Sequence, residues 1–274
     1  MDIRIIAMDL DGTALQRDRC SFSPRLIQAL EDAHKLGVEI VPVTGRQFDL
    51  LPPAVKNHPS WENLAILCNG GQIRRLSDGK LLDGLTISEA ALKNLLDVSR
   101  RFDLPIEFSV DSRLHLTEHD YEKQLPFPEL AFHRDSILAN FGVTVETLEP
   151  LCREKVEKVN LLCIPETLKE EVEAAMADIE VSAVWSSASA MEITHPDATK
   201  GRGITRLCEI LGRDPDQVMA LGDSGNDISM LRQAGLGVAM GNAPEFVKRH
   251  ADVVTLTNEE DGAAVAIERY VLGR

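Results

Sequence analysis

Residues 9–13 read Asp9-Leu10-Asp11-Gly12-Thr13 and follow the run Ile3-Arg4-Ile5-Ile6-Ala7-Met8. The apolar run has the length and composition of a buried strand. Two carboxylates then stand one residue apart, with glycine directly after them. In an open α/β sheet, ligands bind beyond the carboxyl ends of the strands. A pair of acids placed there is well sited for chemistry, whereas in a dry core it would be costly.

Outward from this stretch, strand and helix signals alternate. Ser23 suits an N-cap and Pro24 the first helical position, so a helix is expected from there to about residue 36, ended by Gly37. Residues 38–43 read as a second strand; Pro42 lacks a ladder donor and belongs at its end. Thr44-Gly45-Arg46 follows. A third strand, 64–68, closes in Asn69-Gly70-Gly71. Toward the C-terminus come a helix at 203–211 and a strand at 218–221. Gly222-Asp223-Ser224-Gly225-Asn226-Asp227 follows, then a helix to about 234 and strands at 237–240 and 253–256. Strands alternating with helices predict an α/β fold with a doubly wound, mostly parallel sheet.

The middle of the chain differs. A helix is expected at 88–102 with Ser88 as N-cap. Strands at 106–110 and 114–117 are joined by Asp111-Ser112-Arg113. A strand at 159–164, an acidic helix at 165–179 and a small polar hinge at 185–190 follow. These mark residues 84–190 as an inserted second α/β domain, leaving 1–83 and 191–274 as the core. Asp78-Gly79 marks a hairpin turn.

The composition, 44% hydrophobic and 27% charged over 274 residues, is that of a globular protein. No apolar run reaches the ~18 residues of a membrane span. A net charge of −15 argues against nucleic acid or an anionic membrane as partner. Five scattered cysteines with no Cys-x-x-Cys pattern point to reduced thiols and a cytoplasmic setting. The same negative charge would repel a phosphorylated ligand, so such a ligand needs local positive charge. Nothing in the sequence specifies an oligomeric state.

Asp9, Thr44 and Asp223 each directly follow an apolar strand, and a parallel sheet brings those ends to one edge. Without a cation, two facing carboxylates repel and one takes up a proton. Mg²⁺ with oxygen ligands removes that conflict. Either acidic segment alone could be a turn, since Asp, Gly, Asn and Ser dominate turns; the two together, each after a buried strand, favour a site. An EF-hand fails, because Gly12 falls at the wrong loop position.

Four motifs in order carry a resemblance: Asp9-Leu10-Asp11-Gly12-Thr13; Thr44-Gly45-Arg46; Lys200-Gly201; and Gly222 to Asp227, trailed by Gly237-Val238-Ala239-Met240-Gly241-Asn242-Ala243. With a long insert between the second and third, the chain resembles the haloacid dehalogenase superfamily, in its Cof-type branch of metabolite phosphatases. Pro42-Val43 and His195 to Thr199 depart from the usual loop residues of that pattern. The resemblance implies that the insert is an α/β cap and that Asp9 is a nucleophile forming an aspartyl phosphate, with Asp11 as general acid and base. It implies Mg²⁺ held by Asp9, the Asp11 carbonyl and Asp223, with Ser224 and Asp227 behind them. Leu10, Thr44, Gly45, Lys200 and Asn226 would bind the phosphate of a small metabolite such as a sugar phosphate. A hexose phosphomutase would keep the same pair, and a non-catalytic phosphometabolite-binding protein the same fold; intact Asp9 and Asp11 speak against the latter. Arg46 suits either the site or a structural ion pair. In the insert, Asp111, Arg113, His115 and Arg134 are polar and could face a substrate, but a solvated face is the more ordinary account of each.

His115-Leu116-Thr117-Glu118-His119 also matches a zinc-protease signature, which requires one helix to carry both histidines. The first histidine lies in a strand-like run, so zinc chemistry is not expected.

Overall fold

The computed structural model describes residues 2–58, 64–136 and 142–274. The chain divides into two compact units, one of residues 1–83 with 199–274, the other of 84–198. In the first unit lie β1 (Ile5–Met8), β2 (Glu39–Pro42), β3 (Leu64–Leu67), β4 (Gln72–Arg75) and β5 (Leu81–Gly84), then β12 (Val218–Gly222), β13 (Leu236–Ala239) and β14 (Val253–Val254). In the second lie β6 (Ile106–Val110), β7 (Arg113–Leu116), β8 (Gly142–Thr144), β9 (Val156–Leu161), β10 (Ser182–Ser187) and β11 (Ala190–Thr194).

Among the described residues, the first unit's main sheet runs β14-β13-β12-β1-β2, parallel throughout. A bridge between Val43 and Ile66 extends it toward the sheet β3-β4-β5, in which β3 and β4 pair antiparallel. Every residue of β1 is buried. Ile6 and Met8 pack with Leu26, Ala29 and Leu30 of helix Pro24–Lys35 and with Ala264 and Ile267 of helix Gly262–Ile267. Ile5 and Ala7 pack on the other face with Ile204 and Leu207 of helix Lys200–Leu211 and with Met230 of helix Ile228–Gln233. Side chains alternate across a strand, so a strand covered by helices on both faces must be apolar throughout. This is the doubly wound α/β arrangement. Pro42 closes β2 opposite Met8, where its missing donor costs least.

The second unit has a mixed, mostly antiparallel sheet, β10-β11-β9-β6-β7-β8. Ile106, Phe108, Val159, Leu161, Met191 and Ile193 face helices Glu89–Phe102 and Lys169–Met176, which bring Leu92, Leu95 and Val172. The intervening positions Glu107, Ser109, Lys158 and Asn160 are polar and also buried.

Several boundaries differ from the sequence reading. The second unit runs to residue 198, beyond 190, because β11 pairs with β9 in its sheet. The stretch 185–190 is no hinge but part of the β10–β11 hairpin. The helix expected at 165–179 begins as the 3₁₀ turn Glu166–Leu168 and is α-helical over Lys169–Met176. The helix expected from 203 starts at Lys200, where the Thr199 side chain accepts from the Arg202 amide. A glycine at 203 fits this start: a Cβ there would lie 2.5 Å from Cγ2 of Ile66. In the zinc-like motif, His115 lies on β7 and His119 in helix Glu118–Gln124, capped by Thr117. The two histidines therefore share no helical face. No helix among the described residues is long and apolar enough to cross a membrane.

Candidate active site

The parallel register sets the C-terminal ends of β1 and β12 side by side, and the Asp9 amide donates to the Leu221 carbonyl at 3.0 Å. Beyond β1 the chain turns tightly, and Leu15 donates back to the Leu10 carbonyl at 2.8 Å. Gly12 makes this turn with φ +81°, and a Cβ there would lie 2.4 Å from Oδ2 of Asp223. Glycine is thus required both by the left-handed backbone and by the closeness of the second acidic loop. Thr13 Oγ1 donates to Asp223 Oδ1 at 3.3 Å across the same gap.

Asp9, Asp223 and Asp227 each offer a carboxylate oxygen within 4.8 Å of the others. Lys200 Nζ lies between two of them, 2.6 Å from Asp9 Oδ1 and 2.6 Å from Asp227 Oδ1, with only 1% of its side chain exposed. The other Asp227 oxygen accepts from the amides of Asp223 and Ser224, each at 2.9 Å, and so shapes the turn after β12.

One ammonium does not balance three carboxylates. Burial drives the Asp9 carboxyl well above its ordinary range; Lys200 opposes this and the Asp227 and Asp223 charges reinforce it. Asp223 is pushed up to about 6 by burial and by Asp227, against the pull of Lys200. For Lys200 burial disfavours the charge, but Asp227 and Asp9 outweigh it and hold the ammonium protonated. Crowded oxygens with surplus negative charge are a donor set suited to a hard divalent cation.

The remaining expected residues distribute as follows. Thr44 is buried at the end of β2; its hydroxyl accepts from the Arg46 amide at 3.2 Å, and Gly45 follows it. The Leu10 side chain belongs to the core, which leaves its backbone for any polar role. Ser224 Oγ donates to Asn226 Oδ1 at 2.6 Å. Asp11 sits beside Asp9 in sequence, but its carboxylate lies outside the three-carboxylate cluster and is gripped by Arg46, whose Nε and Nη2 donate at 2.8 and 2.6 Å.

Two asparagines join the site without having been assigned a role from sequence. Asn69, at φ +55°, accepts from Asn226 Nδ2 at 2.9 Å while its amide donates to the Thr44 carbonyl at 3.1 Å. Asn242 Nδ2 donates to the Gly12 carbonyl at 2.9 Å and to Asp223 Oδ2 at 3.2 Å. Both stand in loops directly after apolar strands, the same signal that marks Asp9 and Asp223.

Residues 6–267 match the model of the haloacid dehalogenase-like hydrolases. This chain belongs to that family. The 5-amino-6-(5-phospho-D-ribitylamino)uracil phosphatase YcsE of Bacillus subtilis is 29% identical, over 99% of this chain and 97% of its own length. The pyridoxal phosphate phosphatase YbhA of Escherichia coli is 28% identical, over 99% of this chain and 100% of its own. Among solved structures, the subclass IIB sugar phosphatase BT4131 superposes with a TM-score of 0.82 at 25% identity, covering 97% of this chain and 98% of that one. This haloacid dehalogenase-like protein is a phosphatase. The phosphate esters named for its relatives differ from one another.

Proposed function

We propose that this phosphatase hydrolyses small phosphorylated metabolites, sugar phosphates or similar, in a Mg²⁺-dependent reaction through an aspartyl phosphate on Asp9. The observation that carries this reading is the convergence of Asp9, Asp223, Asp227 and Lys200 at the ends of β1 and β12. Held by Asp9, the Asp11 carbonyl and Asp223, Mg²⁺ would supply neutralisation of phosphoryl-oxygen charge.

The chain's own residues then divide the work. Lys200, Thr44, the Leu10 and Gly45 amides and Asn226 bind the phosphoryl oxygens and aim phosphorus at Asp9. A carboxylate is a weak nucleophile, so this positioning and charge balance carry most of the rate. An Asp9 oxygen bonds to phosphorus as the ester P–O bond breaks, and Asp11 gives its proton to the departing alkoxide. Asp11, now a carboxylate, takes a proton from water as that water attacks phosphorus. The P–O bond to Asp9 breaks, releasing phosphate and restoring the Asp9 carboxylate. Asp227 and Ser224 hold the Asp223 loop. The inserted unit is assigned the role of a cap that selects the leaving group.

The test is turnover of 4-nitrophenyl phosphate with and without Mg²⁺. Activity should vanish on chelation with EDTA, return with Mg²⁺, and be absent in Asp9→Asn. Steady phosphate release by Asp9→Asn, or indifference to EDTA, contradicts the proposal.

A further inference from the structure

The Asp11 carboxylate is 42% exposed, yet both of its oxygens are held, and both by one residue. Among the described residues, Arg46 makes every side-chain hydrogen bond of Asp11. Arg46 is itself built in. Its side chain is 12% exposed, Nη1 donates to the Leu50 carbonyl at 3.3 Å, and Nη2 donates to the Arg19 carbonyl at 3.2 Å. Its amide donates to Thr44 Oγ1 at 3.2 Å, and its carbonyl accepts from the Cys68 amide at 3.1 Å. An anchored fork thus grips a short side chain that would otherwise swing through solvent. A planar guanidinium fixes direction as well as distance, which a lysine cannot do.

We propose that Arg46 is a positioning residue for the general acid: it orients the Asp11 carboxyl for the leaving-group oxygen and touches neither phosphorus nor the phosphoryl oxygens. The proposal rests on the role given to Asp11 above and adds to it the residue through which that role is made precise. Orientation of a reacting group carries a large share of rate, and a positioned acid contributes about 10²–10⁴-fold. The need for an acid grows as the leaving group becomes more basic. 4-Nitrophenolate departs readily without a proton, whereas phenolate benefits from one.

The experiment compares kcat/KM for 4-nitrophenyl phosphate and phenyl phosphate in the wild type, Arg46→Met, Asp11→Asn and the double variant. This ratio reports steps only through formation of the phosphoenzyme, so it isolates acid catalysis from later hydrolysis. Arg46→Met should lower kcat/KM for phenyl phosphate about tenfold more than for 4-nitrophenyl phosphate. Asp11→Asn should show the same split more strongly, and the double variant should match Asp11→Asn. Arg46→Lys, which keeps the charge but not the fork, should show a smaller split; it also carries the test if Arg46→Met does not fold. Equal loss on both esters, or losses that multiply in the double variant, would mean that Arg46 binds phosphate or only supports the fold. Absence of a split in Asp11→Asn itself would instead overturn the acid role of Asp11, and so separates failure of that reading from failure of this one.

Discussion

Lys200 is the residue on which the site's charge balance turns. It is buried between Asp9 and Asp227, and under the proposed function it is the local cation that a protein of net charge −15 needs to hold a phosphate. Lys200→Met keeps much of the volume and removes the charge, leaving Asp227 buried without its ammonium. Breaking a buried pair from one side costs about 3–5 kcal/mol, so the unfolding free energy of the metal-free protein in urea should fall by about that amount, lowering the midpoint, and turnover should be lost with it. An unchanged midpoint would show that the pair is not closed in solution. Most of the site was legible at this scale, since Asp9, Asp223, Asp227 and Lys200 all stand directly after strands or at a helix start. The grip of Arg46 on Asp11 was not, because a loop arginine and a loop aspartate separated by 35 positions carry no periodic signal. Asn69 and Asn242 follow apolar strands as Asp9 does, but asparagine is so common in turns that its presence there marks no role.

The elements that present the site follow local rules, and where the sequence reading slipped, tertiary pairing decided. Strand β1 and the helices begun by Ser23 and Ser88 were readable from apolar runs and caps, and both serines accept the hydrogen bonds expected of N-caps. The stretch 185–190 was not, since its serines and alanines have weak strand preference, and Trp185 to Ser187 take strand form by pairing with β11. The buried polar face of the second sheet shows what such pairing can hold. Glu107 accepts from Gln124 at 2.9 Å and from Asn160 at 3.0 Å, and lies 2.8 Å from Nε2 of His133. Burial works against both charges, but mutual attraction and these hydrogen bonds outweigh it, so Glu107 is lowered and His133 raised. The histidine's contribution is complete below its ordinary value of 6.5 and is lost as pH rises through its raised folded value. The glutamate's is present above its ordinary 4.5 and is lost as pH falls through its lowered value. Thermal unfolding followed from pH 6 to 9 should therefore show a decline in Tm that His133→Gln lacks. Parallel curves for the two proteins would mean that the pair contributes no alkaline sensitivity.

At the scale of the molecule, one unit gathers the acids, the lysine and the loops that follow β1, β2 and β12, while the other is an insertion entered after Asp83 and left before Thr199. Within the first unit the two crossings are tied together: Arg206 Nε lies 3.2 Å and Arg202 Nη2 2.8 Å from the Asp83 carboxylate. Alternation of strands and helices made the doubly wound unit readable along its length. The insertion was readable as a change of pattern, but its end at residue 198 depended on a strand pairing that no local residue announces. Family membership rests on a match over residues 6–267, which spans both units, and the account of the chemistry centres on Asp9. The most direct test is to mix the wild type and Asp11→Asn with a radiolabelled phosphoryl donor and Mg²⁺, quench in acid, and map the labelled peptide. The account predicts an acid-stable, hydroxylamine-labile label on Asp9 that accumulates in Asp11→Asn, where the hydrolytic water lacks its base. Label on any other side chain, or steady turnover with Asp9 never labelled, would contradict it.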